Sequence, residues 1–140
     1  MKNRIDINLT IPNQTRYLRL IAKIGEDLAR GLDNFKGDRE TVANNIKIVL
    51  TEAVANVIKH ANGNDPDKEV RIRISISGVQ LVIRVYDQGE GFDLDTVPEP
   101  PLDQLDDRGR GIFIIKSLMD SVKYSMVNGR NVLKMKKRLS

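Results

Sequence analysis

TEAVANVIKHA, residues 51–61, brings a carboxylate, a carboxamide, an ammonium group and the chain's one histidine into a single short stretch. At about 100° per residue, Ile46, Val49, Leu50, Ala53, Val54, Val57 and Ile58 fall on one broad apolar stripe of a helix. Glu52, Asn56, Lys59 and His60 fall together along one edge of that stripe. Glu52 and Asn56 are spaced i, i+4 and so are neighbours on the helix surface. A polar seam at the rim of a core is within reach of a ligand while shielded from bulk water. Read alone, the same residues are equally a solvated helix face carrying a lone histidine. The motifs on either side decide between these readings.

Upstream, residues 4–11 alternate strictly, with Ile5, Ile7, Leu9 and Ile11 on one side and Arg4, Asp6, Asn8 and Thr10 on the other. That is the pattern of a half-buried strand. Pro12-Asn13 ends it, and Asn13 or Thr15 is placed to cap a following helix. Tyr17, Leu20, Ile21, Ile24 and Leu28 give that helix its stripe, and Gly31 closes it. The second helix begins near Asp38-Arg39-Glu40 and runs to about Ala61, where the turn-rich NGNDPD of residues 62–67 stops it.

Downstream, Val70, Ile72, Ile74 and Ile76 alternate with Arg71, Arg73, Ser75 and Ser77; Gly78 marks a turn, and Leu81, Ile83 and Val85 alternate with Val82, Arg84 and Tyr86. Asp87 shares the parity of Leu81, Ile83 and Val85, so its carboxylate points toward the helix-covered face and requires a dedicated partner. Otherwise it simply caps the turn that precedes Gly89 and Gly91. Residues 92–107 hold six carboxylates, three prolines and no basic residue, the composition of a lid or a disordered loop. Arg108-Gly109-Arg110-Gly111 opens a third helix from Ile112 to about Met119. Val122, Tyr124 and Met126 suggest a strand, Asn128-Gly129 a tight hairpin, and Leu133, Met135 and Leu139 a last strand. The order β-α-α-β-β-loop-α-β-β predicts an α+β fold: one sheet, mixed or mostly antiparallel, covered by helices on one face. The opposite face, with Arg71, Arg73, Ser75 and Arg84, is expected to be wet or covered by a second copy.

The 140 residues fit a single domain with a real core. The absence of cysteine excludes disulfides and thiolate-held metals and fits a reducing cytoplasm. No apolar run approaches a membrane span, and the N-terminal residues form no signal-peptide core, so no membrane association is expected. The net charge of +4 is spread along the chain apart from KMKKR, residues 134–138. With three Phe, three Tyr and no Trp there is little to stack on bases, so no direct nucleic-acid partner is expected.

Three motifs thus stand in order: E-x-x-x-N on a helix, D-x-G-x-G after a strand, and R-G-R-G at a helix start. Together they resemble the GHKL (Bergerat) ATP-binding fold shared by gyrase, histidine kinases and MutL. Glu52 and Asn56 match its N-box, Asp87, Gly89 and Gly91 its first glycine box, and Gly109 and Gly111 its second. The resemblance implies ATP and Mg²⁺ as cofactors, with Asn56 as the metal's amide-oxygen ligand and Glu52 as the general base. It implies that Asp87 receives the adenine amine, that Gly89 and Gly91 let backbone approach the base, and that Gly109 and Gly111 offer amides to phosphate. Lys59, His60, Arg108 and Arg110 complete the expected nucleotide contacts, the arginines as charge-assisted donors. The acidic loop matches the family's nucleotide lid.

EAVANVIKHA and RGRGIFIIKSLMD are most similar to the bacterial anti-sigma-factor serine kinases. Within these 140 residues neither a phospho-accepting helix pair nor a transducer domain is expected. That branch implies a cytoplasmic homodimer, with residues 4–11 as a candidate contact, that holds a sigma factor inactive and phosphorylates a serine on an antagonist protein. Asn131-Val132 stands where relatives often place Thr or Ser beside the adenine, and the lid is unusually acidic. The competing expectations are a non-catalytic ATP-binding module and a detached catalytic domain of a histidine kinase.

Overall fold

A computed structural model describes residues 4–33, 35–88, 107–127 and 129–139 of the chain, the side chains of residues 107 and 108 excepted. Its elements are β1 (Arg4–Pro12), a 3-10 turn (Thr15–Tyr17), α1 (Leu18–Arg30), α2 (Arg39–Asn56), a π-turn (Val57–Ala61), β2 (Glu69–Ser77), β3 (Gln80–Asp87), α3 (Asp107–Leu118), β4 (Ser121–Val127) and β5 (Arg130–Arg138). The five strands form one sheet in the order β1-β2-β3-β5-β4, and every pairing is antiparallel. The sheet is thus antiparallel throughout rather than mixed, because α3 carries the chain past the sheet to β4, and the β4–β5 hairpin folds back to lay β5 beside β3.

Period-2 alternation sorts the sheet. Ile72, Ile74 and Ile76 of β2, Leu81, Ile83 and Val85 of β3, and Leu133 and Met135 of β5 are all buried on the inner face. Against them pack Ile46, Val49, Leu50, Ala53 and Val54 of α2, with Ile112 and Ile115 of α3. Each such Val, Leu, Ile or Met side chain contributes about 1.5–3 kcal/mol through burial. The apolar stripe expected from residues 46–58 is buried in full. Asp38 starts α2 by accepting from the backbone N–H groups of Glu40 and Thr41 at 3.0 and 3.3 Å, a cap worth about 1 kcal/mol.

The first helix differs from expectation in two respects. Its buried face runs through Ile21, Ala22, Gly25 and Ala29, while Leu20 is 52% exposed. Tyr17, Ile24 and Leu28 still pack partly buried against the core as expected, and the small residues beside them let α1 lie close against α2. A Cβ at Gly25 would collide with the side chains of Leu50 and Ile46. Asn13 does not cap this helix. The residue is buried, and its amide donates to the carbonyls of Ile58 at 3.4 Å and Asp65 at 3.0 Å. Among the described residues no helix is long and apolar enough to cross a membrane.

Candidate functional site

The second helix does not stay α-helical to its end. From Val57 to Ala61 it widens into a π-turn, and the N–H of Asn62 donates to the carbonyl of Val57, five residues back, at 2.7 Å. Insertions of this kind are frequent at functional sites. Here the wide turn keeps Val57, Ile58 and Ala61 in the core while Lys59 and His60 remain exposed. Beside it lies a cleft of about 280 Å³, lined by Glu52, Ala55, Asn56, Lys59, His60, Arg110 and Ile114. The polar seam read from residues 51–61 therefore meets one arginine of the R-G-R-G motif across a shared space. The lining carries one carboxylate against two basic side chains, Lys59 and Arg110.

At Gly111 of α3 the backbone comes close to two side chains of α2. A Cβ built there would lie 2.9 Å from Glu52 Oε2 and 3.1 Å from Asn56 Nδ2. A side chain there would require the Glu52 carboxylate, and to a smaller extent the Asn56 amide, to shift. The second glycine of R-G-R-G thus has a steric role in addition to the one expected of its amide. Gly109 lies in the first turn of α3.

Asn56 is only 3% exposed, yet among the described residues its Nδ2 has no hydrogen-bond partner. A buried amide left in this condition costs on the order of 1–3 kcal/mol. Its O and N exchange places on a half-turn about the last torsion, so the orphaned edge can equally offer an oxygen. A single carboxamide oxygen is a ligand of the kind that fits Mg²⁺, which keeps waters and substrate oxygens in its other positions.

Asp87, at the end of β3, is buried to 1% and has the dedicated partners its parity requires. Tyr124 of β4 donates its hydroxyl to Oδ2, and Asn131 of β5 donates Nδ2 to Oδ1 at 3.1 Å. Asn131 stands opposite Asp87 in the β3–β5 register, while Tyr124 reaches across β5 from the edge strand. Asp87 does not line the cleft that Glu52 and Asn56 share.

The β3 exit is held by a second polar group that sequence reading missed. Asn62 is buried to 1%. Its Nδ2 donates to Asn13 Oδ1 at 3.0 Å and to the Glu69 carbonyl at 3.2 Å, while its Oδ1 accepts the N–H of Gln88 at 2.8 Å. Gln88 Oε1 in turn accepts the N–H of Glu69 at 2.7 Å. This network fixes the end of the π-turn to the residue that follows Asp87. The turn signal of residues 62–67 located Asn62 but gave no sign of its partners. Gly89 and Gly91, the loop of residues 92–106 and the side chain of Arg108 lie outside the description.

Residues 11–137 match the family described as "Histidine kinase-like ATPase domain". The chain is 30% identical to the "Serine-protein kinase RsbW" of Bacillus subtilis strain 168, a likeness that covers 94% of this chain and 86% of that protein. It is 31% identical to the protein of the same name from Listeria monocytogenes strain EGD-e, over 91% of this chain and 83% of the relative. Among solved structures it is similar to the histidine kinase domain of a blue-light activated histidine kinase from Erythrobacter litoralis, with a TM-score of 0.55 at 22% identity. That likeness covers 92% of this chain and 62% of the other, and it concerns the fold.

Proposed function

The chain belongs to the histidine kinase-like ATPase domain family, and from that premise we propose that it is an ATP-dependent serine protein kinase and anti-sigma factor. In this reading it holds a sigma factor inactive in the cytoplasm and phosphorylates a serine on a small antagonist protein. The observation that carries the reading is the meeting of Glu52, Asn56 and the backbone of Gly111 beside a cleft lined by Lys59 and Arg110. Relatives named as serine-protein kinases, similar over nearly the whole chain, supply the reaction class.

The division of labour follows from the chemistry of each group. Asn56 offers its amide oxygen to Mg²⁺, which when bound screens the phosphate charge during transfer. Lys59 and Arg110 hold phosphate oxygens, Arg110 through paired N–H donors. Arg108, Gly109 and Gly111 complete the phosphate end, and Asp87, Gly89 and Gly91 receive the adenine. Glu52 accepts the serine proton as the serine oxygen bonds to the γ-phosphorus and the bond to the β-phosphate oxygen breaks, releasing ADP. A module that only binds ATP needs no base beside the metal ligand, so the presence of Glu52 favours the kinase.

The same reading includes a homodimer built on β1, which lies at one edge of the sheet and offers backbone groups for pairing. Sedimentation of a species near twice 15.8 kDa is expected, and a monomer at high micromolar concentration removes this part. The activity is tested by incubating the full chain with labelled ATP and candidate antagonist proteins, then identifying the modified residue. Label on an antagonist serine is the expected result. ATP binding with no transfer to any antagonist leaves the ATP-binding module.

A further inference from the structure

The outer face of the sheet, away from the helices and the cleft, carries a row of like charge. The registers set Arg73 of β2 opposite Arg84 of β3, Arg84 opposite Lys134 of β5, and Lys134 opposite Lys123 of β4. Directly opposed side chains in a sheet lie about 4.5–5.5 Å apart, and like charges so placed repel. The repulsion shows at the centre of the row, where Lys136, Arg84 and Lys123, together with burial, hold the Lys134 ammonium below its usual lysine pKa. Among the described residues one ion pair relieves the row, between Arg73 and Asp6 at 2.8 Å. The fold does not require this arrangement, since alternating polar residues would serve the outer face equally well.

We infer that this face docks an acidic helix of a partner protein, laid across the strands with carboxylates on successive turns. The spacing selects the helix. Strands repeat about every 4.8 Å, so the row spans roughly 14 Å. Carboxylates at i, i+4, i+7 and i+11 of a helix span about 16 Å along its axis at 1.5 Å per residue. Tyr86 and Val82 lie beside the row on the same face, both half-buried, and Arg71 sits over the Tyr86 ring at 5.5 Å. Arginine and tyrosine around small apolar groups are the composition of protein interfaces. A second copy of this chain does not fit, because a two-fold contact would set the basic row against itself. Single-stranded nucleic acid fits poorly, since the one ring on the face is already covered by Arg71.

The test uses the full chain and a fluorescent helical peptide with Glu at i, i+4, i+7 and i+11. Three further probes run alongside: a scrambled peptide of the same composition, a single-stranded RNA oligonucleotide, and phosphatidylglycerol vesicles. Anisotropy should show the striped peptide binding more tightly than the other three. Arg84→Glu/Lys134→Glu should weaken it at least about tenfold, and Arg84→Gln/Lys134→Gln by less, as expected when complementary charge is reversed or removed. ATP affinity should be unchanged in both variants, which shows that they are folded. The inference is overturned if the scrambled peptide binds equally well, if RNA or vesicles bind more tightly, or if the folded variants bind the striped peptide like the parent. A change of oligomeric state in the charge-reversed variant also overturns it, because the face would then be a contact between copies.

Discussion

Asn56 and Asp87 are buried to almost the same degree, 3% and 1%, at two ends of the proposed nucleotide site, yet they are treated in opposite ways. Asp87 is held by Tyr124 and Asn131 from two other strands. Asn56 sits against Gly111 with its amide nitrogen unmatched among the described residues. A buried polar group that already has partners is part of the frame, and removing it destabilises the fold. One left without a partner is a standing cost that a ligand can relieve. Under the proposed function the contrast makes Asp87 the pre-organised end and the Glu52–Asn56 pair the chemical end, and it can be broken one residue at a time.

The largest effect is expected at the chemical end. Glu52→Gln keeps size and helix propensity but removes the base, so single-turnover phosphorylation of an antagonist should fall by about 10²–10⁴-fold with near-normal ATP affinity. Both quantities are to be measured on one sample, and an unchanged rate removes Glu52 from its role. Next, Asn56→Ala should weaken Mg²⁺-dependent ATP binding by roughly 1.5–3 kcal/mol, the usual worth of a contact to a charged group. Its thermal midpoint should hold or rise, because alanine is the better helix former and the orphaned amide disappears. A clear drop in stability without ligand would show that Asn56 belongs to the frame after all.

Asp87→Asn should lose on both counts, about 1–3 kcal/mol in ATP affinity and a comparable amount in stability, since a donor replaces an acceptor toward Tyr124 or Asn131. Tyr124→Phe isolates one of these partners and should cost about 0.5–1.5 kcal/mol in denaturant unfolding. Calorimetry showing equal ATP affinity for parent and Asp87→Asn would end the adenine assignment.

The smallest effect is expected from a carboxylate that has partners but no burial. Asp6 accepts from Arg73 at 2.9 and 2.8 Å and from Ser75 at 3.1 Å, on the solvent side of the sheet. The Arg73 hydrogen bond above all pulls its pKa from 3.8 to about 2, against an opposing effect of partial loss of hydration. A depressed carboxyl stabilises the fold above its unfolded pKa. The contribution of Asp6 is therefore complete above 3.8 and fades as pH falls toward 2. The stability difference between the parent and Asp6→Asn should be small and should shrink across that window in acid unfolding. A difference that grows as pH falls would reverse the sign.

How much of this was legible in the chain depends on the distance over which each feature is decided. The alternation of residues 4–11, the stripe of residues 46–58 and the inward parity of Asp87 are local periodicities, and each is borne out. The i, i+4 spacing of Glu52 and Asn56 puts them on one edge of a helix whatever packs against it. The exposure of Leu20 and the burial of Asn13 were misread, because each depends on what lies opposite. α1 approaches α2 through Gly25, and Asn13 spans 45 residues to reach Ile58.

By itself, then, the sequence determined which residues share a face, where the turns fall, and that Asp87 needs a partner, because these follow from repeats of 2 and 3.6 residues and from the cost of an unpaired buried charge. Tertiary structure alone decided who the partners are. Tyr124 and Asn131 reach Asp87 over 37 and 44 residues because β5 lies between β3 and β4. Gly111 meets Glu52 and Asn56 because α3 crosses α2 at that point, and the π-turn at Val57–Ala61 carries Lys59 and His60 to the same cleft. Strand order and helix contact are properties of the packed whole, and no local period encodes them.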